Sequence, residues 1–242
     1  MSQYPAKSPI VNQPSTANQT SSSDYDSRNT LQESIISPPG LDYLSTIDQF
    51  LLQQNDIFAK NKFNVLNSHG QNIFLAAENS TICGYACCSS HRRYEIKIMD
   101  NFGKEVMHLY HPQNCVLCCF PPFLQRIEVF SPPDNLIGTV EQDYSFFNIN
   151  FSIKDQYTVT VLKIKGPVFA NCCCQDIHYR IISADERTQI GTICRKFPGM
   201  CKQLCSQVNY FKSNFSMDLD VKTKALLLGA CFLIDTMCYD RN

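Results

Sequence analysis

Between residues 62 and about 195, apolar and polar side chains alternate in short runs separated by turn residues, the pattern of antiparallel strands with one face buried. Five segments read as strand, polar turn, strand: FNVLNSHGQNIFLAAE, YEIKIMDNFGKEVMHLY, LQRIEVFSPPDNLIGTVEQ, FSIKDQYTVTVLKIKG and IHYRIISADERTQIGTICRK. In YEIKIM, Tyr94, Ile96 and Ile98 share one face while Glu95 and Lys97 share the other. In RIEV, Ile127 and Val129 oppose Arg126 and Glu128. Hairpins in such succession predict a closed barrel or a sandwich. The hairpin at 94–110, the cysteines at 115–119 and the hairpin at 124–142 are echoed by a hairpin at 150–165, Cys172-Cys173-Cys174 and a hairpin at 177–195. This weak repeat puts both cysteine clusters in equivalent connections at one end of the structure.

The periodicity changes on both flanks. Pro38-Pro39-Gly40 breaks the chain, and Leu41, Leu44, Ile47 and Leu51 then recur at helical spacing, which predicts a short amphipathic helix, with room for an extended end, opening the folded domain. Its polar face carries Asp and Gln rather than Lys and Arg, so packing onto the core is preferred to a membrane-surface role. The last element is DLDVKTKALLLGACFLIDTMCYDRN, where Asp218 and Asp220 suit a helix N-terminus and its dipole. Ala225 to Ile234 is apolar on every face and Asp235 ends the run. That run rises only about 15 Å, against about 30 Å for a bilayer core, so a helix buried inside the β structure is expected rather than a membrane span. Residues 1–37 are rich in Ser, Gln, Asn and Pro and are expected to form a disordered tail that serves as a tether or contacts protein partners. Residues 38–242 are expected to form one folded domain.

A formal charge of -1 and a pI near 6.5 supply no net pull toward nucleic acid, and no such partner is expected. The opening residues hold no basic segment followed by an apolar run, so a cytosolic start is expected. The 14 cysteines then read as thiols, metal ligands or acyl carriers rather than disulfides. In the stretch CVLCCFPPF, Cys115, Cys118 and Cys119 leave two readings open. They either carry acyl chains or, as Cys115 and Cys118 with Cys172 and Cys174, surround a zinc ion. Cys194, Cys231 and Cys238 read as thiols that pack. Five scattered histidines form no nucleophile or metal motif, and no covalent catalysis is expected.

GLDYLSTIDQ, the cysteine cluster before LQRIEV, LKIKGP and above all DLDVKTKALLLGACFLID resemble the phospholipid scramblase family, over about residues 38 to 239. Members are similar in fold to tubby-like proteins. The resemblance implies a mainly β structure, a closed antiparallel barrel of about twelve strands around a buried C-terminal hydrophobic α-helix. It also implies ATP-independent, Ca2+-stimulated, bidirectional movement of membrane phospholipids between leaflets. The place implied is the cytosolic face of the plasma membrane, held by palmitoylated cysteines, with a cytoplasmic or nuclear pool when unacylated.

Carried onto this chain, the family's palmitoylation motif aligns with 118–123 and gives Cys115, Cys118 and Cys119 as acyl sites, with Cys87, Cys88, Cys172, Cys173 and Cys174 secondary. The family's Ca2+ loop aligns with 206–218 and would offer Gln207, Asn209, Asn214 and Asp218. Two leading aspartates are replaced by Gln207 and Asn209 and a glycine by Lys212, so a weakened Ca2+ site is expected. The segment aligned with a nuclear-import signal, 191–201, keeps only Arg195 and Lys196 as basic residues. Without a full-length transmembrane helix, lipid movement would require an oligomer, bilayer deformation or expulsion of the C-terminal helix. The alternative is a non-transporting, membrane-anchored lipid-binding or signalling adaptor.

Overall fold

The five alternating segments form five hairpins in the computed structural model, which describes residues 38–54, 62–79, 93–112, 124–168, 176–196 and 210–239. Their strands are β2 (Lys62–Leu66) with β3 (Asn72–Asn79), β4 (Tyr94–Met99) with β5 (Glu105–His111), and β6 (Arg126–Ser131) with β7 (Asn135–Asp143). They continue with β8 (Asn148–Asp155) and β9 (Thr160–Val168), then β10 (Ile177–Ser183) and β11 (Gln189–Lys196). The alternation is realised as read: Tyr94, Ile96 and Ile98 are buried, as are Ile127 and Val129, while their neighbours face out.

Two flanking strands complete the sheet, β1 (Gln49–Gln54) and β12 (Tyr210–Phe215), and here the structure corrects the sequence. The expected opening helix is a single 3-10 turn, Asp42–Thr46. Leu41, Leu44 and Ile47, all buried, are spaced by three, which suits three residues per turn better than 3.6. The chain then extends, so Phe50 and Leu52 point inward while Leu51 does not. Likewise the segment expected to be a loop before the last helix is a strand from Tyr210 onward, with Phe211, Ser213 and Phe215 buried. β1 and β12 pair with each other, Gln49 opposite Asn214 and Leu51 opposite Lys212. That pairing closes twelve antiparallel strands into a barrel, the architecture the resemblance implied.

The barrel encloses α1 (Val221–Tyr239). Residues 223–234 are all buried, and the helix packs on β6, β7, β8, β12 and the 3-10 turn. Contact with β6 requires glycine: a Cβ at Gly229 would lie 2.9 Å from Val129 Cγ2. Gly40 is similarly fixed before the 3-10 turn, with φ of +87° and a Cβ position only 2.5 Å from Val106 Cγ1.

The start of α1 is a built joint. Asp220 caps it, accepting the Thr223 amide at 3.1 Å and the Thr223 hydroxyl, a common way to satisfy the first free amides of a helix. Lys224, fully buried, points its ammonium at the carbonyls of Leu44 (3.0 Å), Ile47 (2.9 Å) and Met217 (2.9 Å). The Ser45 carbonyl lies further off at 3.4 Å and the Phe215 ring 5.6 Å away. One side chain thereby ties the 3-10 turn, the entry to β1 and the exit from β12 to the helix.

Lys224→Met keeps the bulk but removes the donors, and is expected to lower unfolding free energy by about 2–4 kcal/mol, read by chemical denaturation. Burial pulls the Lys224 pKa below its ordinary 10.5, against the opposing charges of Asp220, Asp48 and Asp218. Between the folded value and 10.5 the unfolded chain therefore holds more protons, and this residue's contribution to stability rises with pH. The wild-type advantage over Lys224→Met should widen from neutral pH toward pH 10; a constant gap would contradict the assignment.

Candidate functional site

Because the strands alternate in direction, every connection after an odd-numbered strand lies at one end of the barrel and every connection after an even-numbered strand at the other. The even-strand end is made of tight turns. Asn67, Asp100 and Asp155 each accept two backbone amides of their own turn on one side-chain oxygen, at 2.8–3.0 Å. The 3-10 turn and the Lys224 joint lie at this end too. It is a fastened end, shaped by local hydrogen bonds.

The odd-strand end carries the long connections, 55–61, 80–92, 113–123, 169–175 and 197–209, besides the short 144–147 turn. By chain position these connections hold Cys83, Cys87, Cys88, Cys115, Cys118, Cys119, Cys172, Cys173, Cys174, Cys201 and Cys205. All proposed acyl sites, primary and secondary, and the zinc set Cys115, Cys118, Cys172 and Cys174 lie outside the described residues; by chain order they fall between strands that end at this side of the barrel. Around this rim, Tyr144, Phe146 and Phe147 on the β7–β8 turn are 60%, 80% and 63% exposed, and Leu124 and Val168 are also exposed. The Tyr144 and Phe146 rings meet edge to face at 5.1 Å. Contiguous exposed aromatics of this kind suit the interfacial layer of a bilayer, where a ring can be half wet. The fastened end exposes apolar side chains too, Phe102 on the β4–β5 turn and Tyr157 with Val159 on the β8–β9 turn, but among the described residues only the β7–β8 turn sets three exposed aromatic rings side by side.

Among the described residues the lumen is occupied by the buried central helix. Beneath the rim, His111 is fully buried, bonded through Nε2 to Gln125 Oε1 at 2.8 Å and stacked on Tyr94 at 4.6 Å. Below that layer the space is filled by α1. The outer wall carries ion pairs, including Lys154 with Glu141 at 2.6 Å, Lys163 with Glu186 at 2.6 Å and Lys97 with Glu105 at 3.2 Å. The Lys163 hydrogen bond, with Lys165 beside it, holds the Glu186 carboxyl below its ordinary range. A membrane-crossing barrel is apolar outside and polar within; this wall is the reverse. No helix among the described residues is long and apolar enough to cross a membrane.

Of the residues aligned with a Ca2+ loop, Gln207 and Asn209 lie outside the described residues. Asn214 is half-buried on the outer face of β12, opposite Gln49 and Thr192. Asp218 is exposed in the turn before α1. The basic pair of the aligned import segment lies in β11, where Arg195 is buried and Lys196 meets Asp176 at 2.5 Å. Cys231 is fully buried on α1, as expected of a packing thiol. The sequence reading missed the Tyr144–Phe147 turn, although YSFF between two strands was a visible signal. It also missed Lys224, whose partners are distant in sequence.

The Scramblase family model matches residues 28–241. The chain belongs to this family. Phospholipid scramblase 2 of Bos taurus is 40% identical over 211 residues, covering 84% of this chain and 72% of the relative. Phospholipid scramblase 1 of Homo sapiens is 39% identical, covering 84% of this chain and 66% of its own length. Phospholipid scramblase family member 5 of Homo sapiens is 33% identical, covering 85% and 79%. This scramblase-family chain thus spans about two thirds or more of these relatives. A solved Arabidopsis thaliana protein aligns over 82% of the chain and 99% of its own at a TM-score of 0.45 and 10% identity.

Burial, with a small push from Asp235, raises the Cys231 thiol far above its ordinary pKa, so it stays protonated and inert. Native-state alkylation followed by mass spectrometry should leave Cys231 unmodified until the protein is unfolded; rapid native labelling there would show that α1 leaves the barrel.

Proposed function

We propose that this chain is an ATP-independent phospholipid scramblase that works from the cytosolic face of the plasma membrane, with the connection-bearing end of the barrel turned toward the bilayer. The observation that carries the reading is the polarity of the barrel. Cysteine-bearing connections and the aromatic Tyr144–Phe147 turn share one end, while the tight turns occupy the other. Palmitate on Cys115, Cys118 and Cys119, with Cys87, Cys88, Cys172, Cys173 and Cys174 as further sites, would supply the two or more acyl chains that stable anchoring takes. The named relatives are phospholipid scramblases, and membrane phospholipids are the substrate class this implies.

With the lumen filled and the wall charged, lipid headgroups would have to pass outside the barrel, at a bilayer thinned or disordered by the inserted rim or between assembled copies. The chemistry is displacement without bond making or breaking. Calcium fits this chain poorly: among Gln207, Asn209, Asn214 and Asp218 only one carboxylate remains, and Lys212 projects from the same strand face as Asn214. Calcium affinity follows the count of charged oxygen ligands, so the response to Ca2+ is weak. The buried helix favours a second reading, a membrane-anchored adaptor that binds lipid without moving it.

Reconstitution separates the two readings. Purified protein in liposomes with fluorescent lipid in both leaflets should expose inner-leaflet lipid faster than protein-free liposomes, with little change across a Ca2+ titration. Exchange no faster than in empty liposomes, at any Ca2+ concentration, leaves only the adaptor. Orientation is tested in cells by fractionation with acyl-exchange mass spectrometry. Cys115/Cys118/Cys119→Ser should shift protein to the soluble fraction, and Phe146→Ser with Phe147→Ser should lower liposome binding several-fold without changing thermal stability. Wild type that carries no acyl groups there, with a triple variant that still pellets fully, would refute the anchor.

A further inference from the structure

On the outer wall near the connection-bearing end, β10 and β11 bring together three side chains that the scramblase reading does not use. His178 and Cys194 are directly opposite each other across the β10–β11 ladder, and the Cys194 Sγ lies 3.9 Å from His178 Nε2. Asp176 immediately precedes β10. The donor atoms of Asp176, His178 and Cys194 all fall within 4.8 Å of one another, and among the described residues no other group of three or more metal-ligating side chains converges in this way. We propose that Asp176, His178 and Cys194 form a zinc site, with a fourth position open to water.

The geometry suits that ion. Zinc takes thiolate sulfur at about 2.3 Å and imidazole nitrogen at about 2.0 Å in a tetrahedral shell, which places sulfur and nitrogen about 3.6 Å apart. The observed 3.9 Å needs an adjustment of a few tenths of an ångström, and the wider spread of the trio, up to 4.8 Å, would be taken up by rotation of the exposed Asp176 and His178 side chains. One sulfur, one imidazole and one carboxylate form a borderline set that suits zinc and is too soft for calcium or magnesium. Three protein ligands with an open fourth position are the pattern of a zinc site that keeps a water.

The surroundings support the site. His178 and Asp176 are exposed, so the ion has an entry route, while Cys194 is 6% exposed, so its thiolate would be shielded from bulk solvent. Cys194 shares the outer face with His178 on one side and Lys212 on the other. Burial raises the Cys194 pKa above its ordinary value, Lys196 and Lys212 opposing it and Asp176 adding to it, so a bound ion would have to displace the thiol proton. Lys196 also holds Asp176 Oδ2 at 2.5 Å, which fixes the carboxylate's orientation, as outer-shell partners of metal ligands do. The sequence hides this arrangement because Cys194 and His178 are sixteen residues apart and meet only through strand register.

Fourteen cysteines make bound zinc alone an insufficient test, so the experiment reads the ligands. Full-length protein loaded with one equivalent of Zn2+ is measured by X-ray absorption at the zinc edge and by competition with a chromophoric chelator. A first shell of one sulfur with nitrogen and oxygen, showing imidazole scattering, is expected. His178→Ala and Cys194→Ser should each weaken zinc by tenfold or more, and His178→Ala should abolish the imidazole signal while leaving the melting temperature of the metal-free protein unchanged. A shell of sulfur alone, affinity unchanged in either variant, or no retention against the chelator would overturn the proposal.

Discussion

A helix that is apolar on every side from Ala225 to Ile234 cannot rest on a surface; it must be surrounded. That requirement organises the rest of the molecule. A half-open sheet would cover one face of α1 and leave the other in water, so the sheet has to close, and closure falls to β1 and β12, the strands at the two ends of the folded chain. Their pairing is non-local and must be supported where the chain ends converge. The Lys224 ammonium does this, bonding carbonyls of the 3-10 turn, the entry to β1 and the β12–α1 turn. A cation suits the position because backbone carbonyls of Leu44, Ser45, Ile47 and Met217 converge there, and buried acceptors need donors.

The same constraint divides the two ends of the barrel. At the end where α1 enters, turns are short and bonded to themselves, and the fold has little room for variation. At the other end the connections need only span neighbouring strands, so their length and composition are free to serve something other than stability. The cysteine clusters and the YSFF turn are concentrated there, while charged pairs cover the wall. The polarity is chemical as well as geometric: one end fastens the core, and the other exposes the adjacent Tyr144, Phe146 and Phe147 rings.

Much of this could be read from the sequence where the signal is local. The ten strands of the five hairpins were legible because each has its partner a few residues away and alternates cleanly, as YEIKIM and RIEV do. The buried helix was legible because its length rules out a span. β1 and β12 were misread because Phe50 with Leu52 and Phe211 with Phe215 are short inward sets whose partners lie at the opposite end of the chain. Leu41, Leu44 and Ile47 fit three residues per turn almost as well as 3.6. The family motif pointed to acyl candidates and to residues that align with a calcium loop. It gave no hint of His178 and Cys194, which come together only once β10 and β11 are in register.

The filled lumen also limits how lipid can be moved. If α1 left the barrel for the bilayer, its own apolar surface would be covered by lipid, but the residues now packed on it would not be. Leu109, Ile127 and Val129 line the helix at Gly229, and Val140 is also fully buried. Uncovering side chains of this size is unfavourable by about 1.5–3 kcal/mol each, so four of them approach or exceed the whole stability of a typical domain, about 5–15 kcal/mol. The Lys224 carbonyls would lose their donor in the same step, and the charged wall could not follow the helix into hydrocarbon. A barrel that stays closed, acting through its rim on the surface of the membrane, is therefore the arrangement compatible with both the core and the proposed activity.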